Sequence, residues 1–339
     1  MTVEAVDIGV LSWLILYGLG IGVLFGFLGV GGSLLTTPAF LVLGVPPRTA
    51  VGSGLAFVFG TSLISAINHR HLGSVDRTLA APVIAGMTAG ILIGERLVRW
   101  LVTLGNADTA ISIAFVGILG AIGMGVIIAH RGGQPAQRIA DRVPRPTVSG
   151  SDSKRTCVGS RGVTRRVLAT LGFGTGVLSG LLGIGGGLVL VPLLSHGVGV
   201  PAAIAVGTAT IQIVVASAVG TFVFALGDAV DLSVVVALLV GSTLGARLGA
   251  VATVLLPAPD HARYLGWLLL AASGAVGVRV LGATFGVVAL ELASAIILFG
   301  TTILAGGGIA LASIASLRRE VREGTTSPEE LAVRGPDHP

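Results

Sequence analysis

The chain has 339 residues, 53% of them hydrophobic and only 11% charged, and its mean hydropathy is +0.95. A soluble domain carries roughly 25% charged residues, so water is excluded as the main solvent and the lipid bilayer becomes the first partner. The net charge of +5 and pI near 10.6 would suggest nucleic acid in a soluble protein. Here the basic residues concentrate in loops and the tail, the pattern that orients membrane proteins, and no nucleic-acid partner is expected.

A helix needs about 20 apolar residues to cross a bilayer. In chain order the first half offers Val10 to Val30, Ala50 to Ile67, Leu79 to Val102 and Thr109 to Ala129. The second half offers Val167 to Leu182, Ala202 to Leu226, Leu232 to Leu256, Tyr264 to Leu281 and Gly286 to Ala315. Two shorter runs, Ser33 to Gly44 and Leu188 to Gly199, each contain a proline, Pro38 and Pro192. The predicted fold is an all-α membrane protein, a polytopic helical bundle of about eight to eleven hydrophobic segments. The first lysine or arginine is Arg48, so no basic leader precedes the first apolar run, which is expected to stay as a membrane helix.

The chain repeats itself. GLGIGVLFGFLGVGGSLLTTP, Gly18 to Pro38, matches GFGTGVLSGLLGIGGGLVLVP, Gly172 to Pro192, at a constant offset of 154. After a slip of one residue, GVPPRTAVGSG (Gly44 to Gly54) faces GVPAAIAVGTA (Gly199 to Ala209), and later GERL resembles GARL, pairing Arg96 with Arg247. The predicted organisation is a first membrane repeat over 1–130, a linker loop over 131–166, a second membrane repeat over 167–316 and a polar tail over 317–339. The linker carries Arg131, Arg138, Arg142, Arg145, Lys154, Arg155, Arg161, Arg165 and Arg166, which puts it in the cytoplasm. The tail, with Arg318, Arg319 and Arg322, should lie there too. If each short proline-containing run crosses, the first half makes five crossings and the two repeats are inverted, an arrangement typical of secondary transporters.

The ladders Gly18, Gly22, Gly26 and Gly172, Gly176, Gly180 have the spacing that lets helix backbones approach closely in lipid. The next glycines, Gly29, Gly31, Gly32 and Gly183, Gly185, Gly186, Gly187, stand before the proline runs and predict broken helices. Such breaks are tolerated at membrane depth only when buried or lining a cavity, and a helix start pointing into that cavity favours an anion. The alternative is that they only shape tight turns. No strand-helix-strand pattern surrounds them, so a dinucleotide site is not expected. Ser33, Thr36, Thr37, Ser53, Thr208, Thr210 and Gln212 lie at or just after the breaks, where they could replace part of a solute's hydration shell. With Pro38 and Pro192 these residues form the candidate substrate site.

These paired segments, GFLGVGGSLLTTPAFLVLGVPPRTAVGSGL and GLLGIGGGLVLVPLLSHGVGVPAAIAVGTA, resemble the sulfite exporter TauE/SafE family over roughly Leu11 to Leu281. The resemblance implies a multi-helix permease of the cell membrane handling a small anion, often sulfite, a sulfonate or thiosulfate. Arg96 and Arg247, one per repeat, could bind an oxyanion through two hydrogen bonds each, or could reach to the interface near helix ends. Glu95 beside Arg96 reads as an internal ion pair, and Glu291 as a proton-coupling candidate. Cys157 is the single cysteine, so disulfides and cysteine metal clusters are excluded within the chain. No nucleophile elbow, zincin helix or P-loop occurs, so no enzyme activity, cofactor or metal is expected. The competing functions are an anion channel, since broken helices also build filters, and, further off, an intramembrane enzyme.

Overall fold

A computed structural model describes residues 8–28, 34–69, 77–131, 165–194, 202–255 and 261–322. Among these residues there are eleven helices and no strand: α1 (Ile8–Leu28), α2 (Thr36–Val42), α3 (Pro47–His69), α4 (Arg77–Thr103) and α5 (Ala107–Arg131), then α6 (Arg165–Leu182), α7 (Gly187–Pro192), α8 (Ala202–Ala225), α9 (Leu232–Leu255), α10 (His261–Phe285) and α11 (Val288–Arg322). Six stretches are long and apolar enough to cross a membrane, in α4, α5, α8, α9, α10 and α11. α1 supplies a shorter apolar run, Leu11–Leu24, and α3 and α6 open on Pro-Arg and Arg-Arg, which dilutes their hydropathy. Large apolar side chains such as Phe222, Leu304 and Leu311 face outward, as lipid contact requires. The chain is therefore a polytopic helical membrane protein.

Glycine decides which helices pair. A Cβ on Gly18, Gly22 or Gly26 of α1 would strike the carbonyls of Leu238, Ser242 and Ala246 on α9. In return, a Cβ on Gly241, Gly245 or Gly249 of α9 would strike Ile15, Leu19 and Val23 of α1. The same interlock joins α4 and α6: Gly172, Gly176 and Gly180 lie against the backbone of Val83, Met87 and Ile91, and Gly86, Gly90 and Gly94 lie against Ala169, Phe173 and Val177. In both pairs the residue numbers rise together, so the helices run parallel, backbone on backbone, the geometry small residues permit where lipid gives no hydrophobic drive.

Other pairs run antiparallel. On α3 and α8, Gly52 meets Phe224 and Leu55 meets Gly220. On α5 and α10, Asp108 bonds Arg279 and Val116 accepts from Ser273, while Gly123 lies beside Gly266. Helices at the start of each half therefore pair with helices late in the other half, while α3 with α8 and α5 with α10 pair across the middle.

Helix ends close locally. Val45 N–H reaches Phe40 O at 2.9 Å and Gly44 N–H reaches Leu41 O at 3.0 Å, with Gly44 at φ +78°. This closing pattern needs a left-handed residue, which glycine adopts without Cβ strain.

Candidate functional site

The second break is fully described. α6 stops when Gly183 N–H bonds Ser179 O at 2.7 Å, and Gly183, Gly185 and Gly186 then adopt φ of +73°, +69° and +73°. A chain of L side chains would resist three left-handed residues in four, so the glycines predicted to break the helix do so. Gly186 caps the six-residue α7, its carbonyl accepting from Leu190 N–H at 2.9 Å.

This break sits at the middle of the bundle. A Cβ on Gly185 would touch Val58 and Ile213, the latter at 3.4 Å, and one on Gly187 would approach Ile213 Cδ1 at 2.5 Å. Val58 is the midpoint of α3 (Pro47–His69) and Ile213 lies midway along α8 (Ala202–Ala225).

The first half meets the break here. Thr37 Oγ1, on α2, lies 2.7 Å from where a Gly183 Cβ would be, and Gly54 of α3 packs against both Thr37 and the Gly183 carbonyl. Ser179 Cβ stands 3.8 Å from the Cβ position of Gly186, beside the Met87 methyl. Gln212 is on the face of α8 that carries Ala209 and Ala216, which cluster with Met87 and Leu190. Thr37, Ser179 and Gln212 are 0% exposed. Thr37 Oγ1, Ser179 Oγ and both ends of the Gln212 amide have no hydrogen-bond partner among the described residues. Native interiors leave few such groups.

The remaining expected site residues divide. Thr36, Pro38 and Thr208 are buried near these segments. Ser53 is buried but already engaged, accepting from Asp231 N–H at 2.9 Å. Pro192 ends α7. Gly29, Gly31, Gly32 and Ser33 lie outside the described residues. Arg96 and Arg247 are exposed and are not brought to the break.

Buried charge is organised elsewhere. Glu95, whose side chain is 3% exposed, receives Arg48 Nη2 at 3.1 Å and Arg99 Nη2 at 2.7 Å. It does not pair with Arg96, because neighbours in a helix point about 100° apart. Arg48 also donates to Gly227 O at 3.1 Å, tying α3 and α4 to the α8–α9 turn. Arg279 donates to both oxygens of Asp108, at 2.9 and 3.0 Å, joining α10 to α5. Glu291 is exposed in the first turn of α11, where the helix dipole favours an acid.

Two residues were not singled out from the sequence. Ser179 is one small residue among many on α6, and only the fold of the break sets it beside Gly186. Tyr17, on α1, donates to Leu35 O at 3.2 Å and stacks edge-on to Phe299 at 4.6 Å, anchoring the segment that enters α2.

Residues 14–276 match the family model described as sulfite exporter TauE/SafE. The chain is 28% identical over 245 residues to a "Probable membrane transporter protein" of Xylella fastidiosa (strain 9a5c), covering 71% of this chain and 84% of that protein. It is 24% identical over 245 residues to the "Probable membrane transporter protein YunE" of Bacillus subtilis (strain 168), covering 70% and 86%. A shorter match, 27% over 116 residues, covers 33% of this chain and 24% of the "Sulfite exporter TauE/SafE family protein 3" of Arabidopsis thaliana. No solved structure matches.

Proposed function

The chain belongs to the sulfite exporter TauE/SafE family, and from that premise we propose that it is a secondary transporter moving a small anion by alternating access. Sulfite, a sulfonate or another organosulfur or organic anion is the substrate class. The relatives matched over most of their length are named membrane transporters, which supports transport and not catalysis.

One observation carries the reading. The second break lies at the midpoints of α3 and α8, buried, with a hydroxyl from the first half turned to it. Transporters bind solute where broken segments of two repeats meet near the midplane, and backbone freed from a helix is tolerated there only around a cavity or within protein.

The halves read as inverted repeats. Corresponding helices α3 and α8, and α5 and α10, run antiparallel, while α1 pairs with α9 as α6 pairs with α4. Inversion of the halves, with the basic 131–166 loop and the tail in the cytoplasm of a cell-membrane protein, accounts for both the pairing and the charge distribution.

The test is flux. The purified protein in lipid vesicles should carry labelled sulfite, thiosulfate, a sulfonate or a carboxylate with saturation and counterflow. Failure of every one of these anions to exceed empty vesicles overturns the reading, and unsaturable conductance would replace it with a channel.

A further inference from the structure

Gln212 is fully buried, and neither end of its side chain has a hydrogen-bond partner among the described residues. Whichever way round the amide is turned, one end is a double donor and the other an acceptor only. Burial takes both ends out of bulk water with no described protein group bonded to either in return, a loss that a hydrogen-bonding ligand would make good. Ser179 and Thr37, equally buried and unpartnered, stand beside the break that Ile213, the next residue on α8, touches, and they add two hydroxyls.

We propose that this set recognises the singly protonated form of a small oxyanion. The amide nitrogen of Gln212 and the hydroxyls of Ser179 and Thr37 donate to its charged oxygens, and Gln212 Oε1 accepts from its acidic hydrogen. This rests on the anion-transport reading and specifies the form of anion taken.

Two arguments favour the monoanion. A dianion offers no hydrogen to the acceptor end of Gln212, and a site built to bond a substrate hydrogen rejects the analogue lacking it. The cost of taking an ion from water also rises with the square of its charge, and the three described groups are neutral. Charge on the elements packed against α8 lies elsewhere. Arg48 of α3 and Arg99 of α4 both bind Glu95 of α4, with Arg48 reaching Gly227, about four turns of α8 beyond Gln212. Arg96 is exposed, His69 and Arg77 stand at the opposite end, where α3 stops and α4 starts, and α7 has no charged residue. Arg165 and Arg166 are exposed at the start of α6. The discrimination is thus made by hydrogen bonds.

Isothermal titration of the detergent-purified protein tests this with three probes: sulfite on both sides of its second ionisation, methanesulfonate as a monoanion without an acidic hydrogen, and sulfate as a dianion. Wild-type affinity for total sulfite should fall with rising pH in step with loss of hydrogensulfite, and stay constant when referred to hydrogensulfite. Methanesulfonate should bind about tenfold or more weakly, with no pH dependence, and sulfate more weakly still. Gln212→Leu should melt no lower than wild type, since an apolar group replaces an unsatisfied one, yet lose about tenfold or more in hydrogensulfite affinity together with its pH dependence. Wild-type binding that follows the sulfite dianion, or is absent for both forms, overturns the proposal whatever the variant does. So does a folded Gln212→Leu with the wild-type profile. Binding of hydrogensulfite without flux of any anion in vesicles would instead overturn the transport reading and leave the recognition standing.

Discussion

Two alanine substitutions on one helix should move stability in opposite directions. Gly174 and Gly176 are both in α6. A Cβ on Gly174 meets nothing within 4 Å, whereas one on Gly176 would be 2.8 Å from Met87 Cα and 2.9 Å from its carbonyl carbon, and nearer still to the oxygen. Favourable carbon contacts lie near 3.5 to 4.0 Å, so α4 and α6 would have to part by roughly 1 Å. The strain cannot be relieved by a rotamer, because the obstacle is backbone. Overpacking of this kind costs about 1 to 3 kcal/mol, and Gly174→Ala gains about 0.5 to 1 kcal/mol from lost backbone freedom in the unfolded chain. Both substitutions share that gain, so the two variants should differ by the overpacking cost alone, about 1 to 3 kcal/mol, which is roughly fivefold to a hundredfold in folded population. Thermal unfolding of both proteins in the same detergent is the assay, with Gly22→Ala, which strikes the Ser242 carbonyl, expected to behave as Gly176→Ala. Refutation is simple: Gly176→Ala melting level with Gly174→Ala would mean the interlocked glycines do not set the helix spacing.

The charge cluster makes a graded prediction. Glu95→Gln removes the carboxylate from Arg48 and Arg99 and should destabilise by about 3 kcal/mol, the low end for breaking a buried pair, since the Arg48 side chain keeps 23% exposure. Arg99→Ala, with that side chain 58% exposed, should cost only about 0 to 1 kcal/mol. Equal losses in thermal melts would contradict the burial argument. For topology, Cys157 in the basic loop should react in intact cells with a membrane-permeant maleimide only, and ready labelling by an impermeant one would place the loop outside and reverse the proposed orientation.

The hydrophobic runs and the second glycine break were legible because each rests on local chemistry: apolar length for the spans, and a cluster of Cβ-free residues before Pro192 for the break. The ladders on α1 and α6 were legible as packing faces. Their partner ladders, Gly86, Gly90, Gly94 and Gly241, Gly245, Gly249, have the same spacing and could have been read equally, but which ladder faces which depends on tertiary placement. Glu95 shows the limit. Adjacency suggested Arg96, helical geometry would have favoured Arg99 four residues on, and Arg48 could come only from the fold. Gln212 was legible from its place after the second break, whereas Ser179 is an ordinary residue of a Gly-rich helix; that neither has a partner among the described residues is a property of the packed state.

The apolar packing itself falls into two clusters, and the second break joins them. Leu182 and Ile184 belong to the larger, with α1, α3, α5, α9, α10 and α11, while Leu190 and Leu194 belong to the smaller, with Val83, Met87, Ile91, Ala209 and Ala216. α4, α6 and α8 also contribute to both, since Val98, Leu182 and Phe224 lie in the larger cluster and Leu168 of α6 in the smaller, but they do so as continuous helices. Each is stiffened by a hydrogen bond per residue, and α4 is further locked to α6 backbone on backbone. The stretch from Gly183 to Gly187 interrupts the helix: three of its residues are left-handed glycines, with no side chains to repack when φ and ψ change. A relative displacement of the two clusters would be taken up in part by φ and ψ changes there, beside Thr37 and Ser179, so that a shift of the packing would also shift groups proposed to hold the solute.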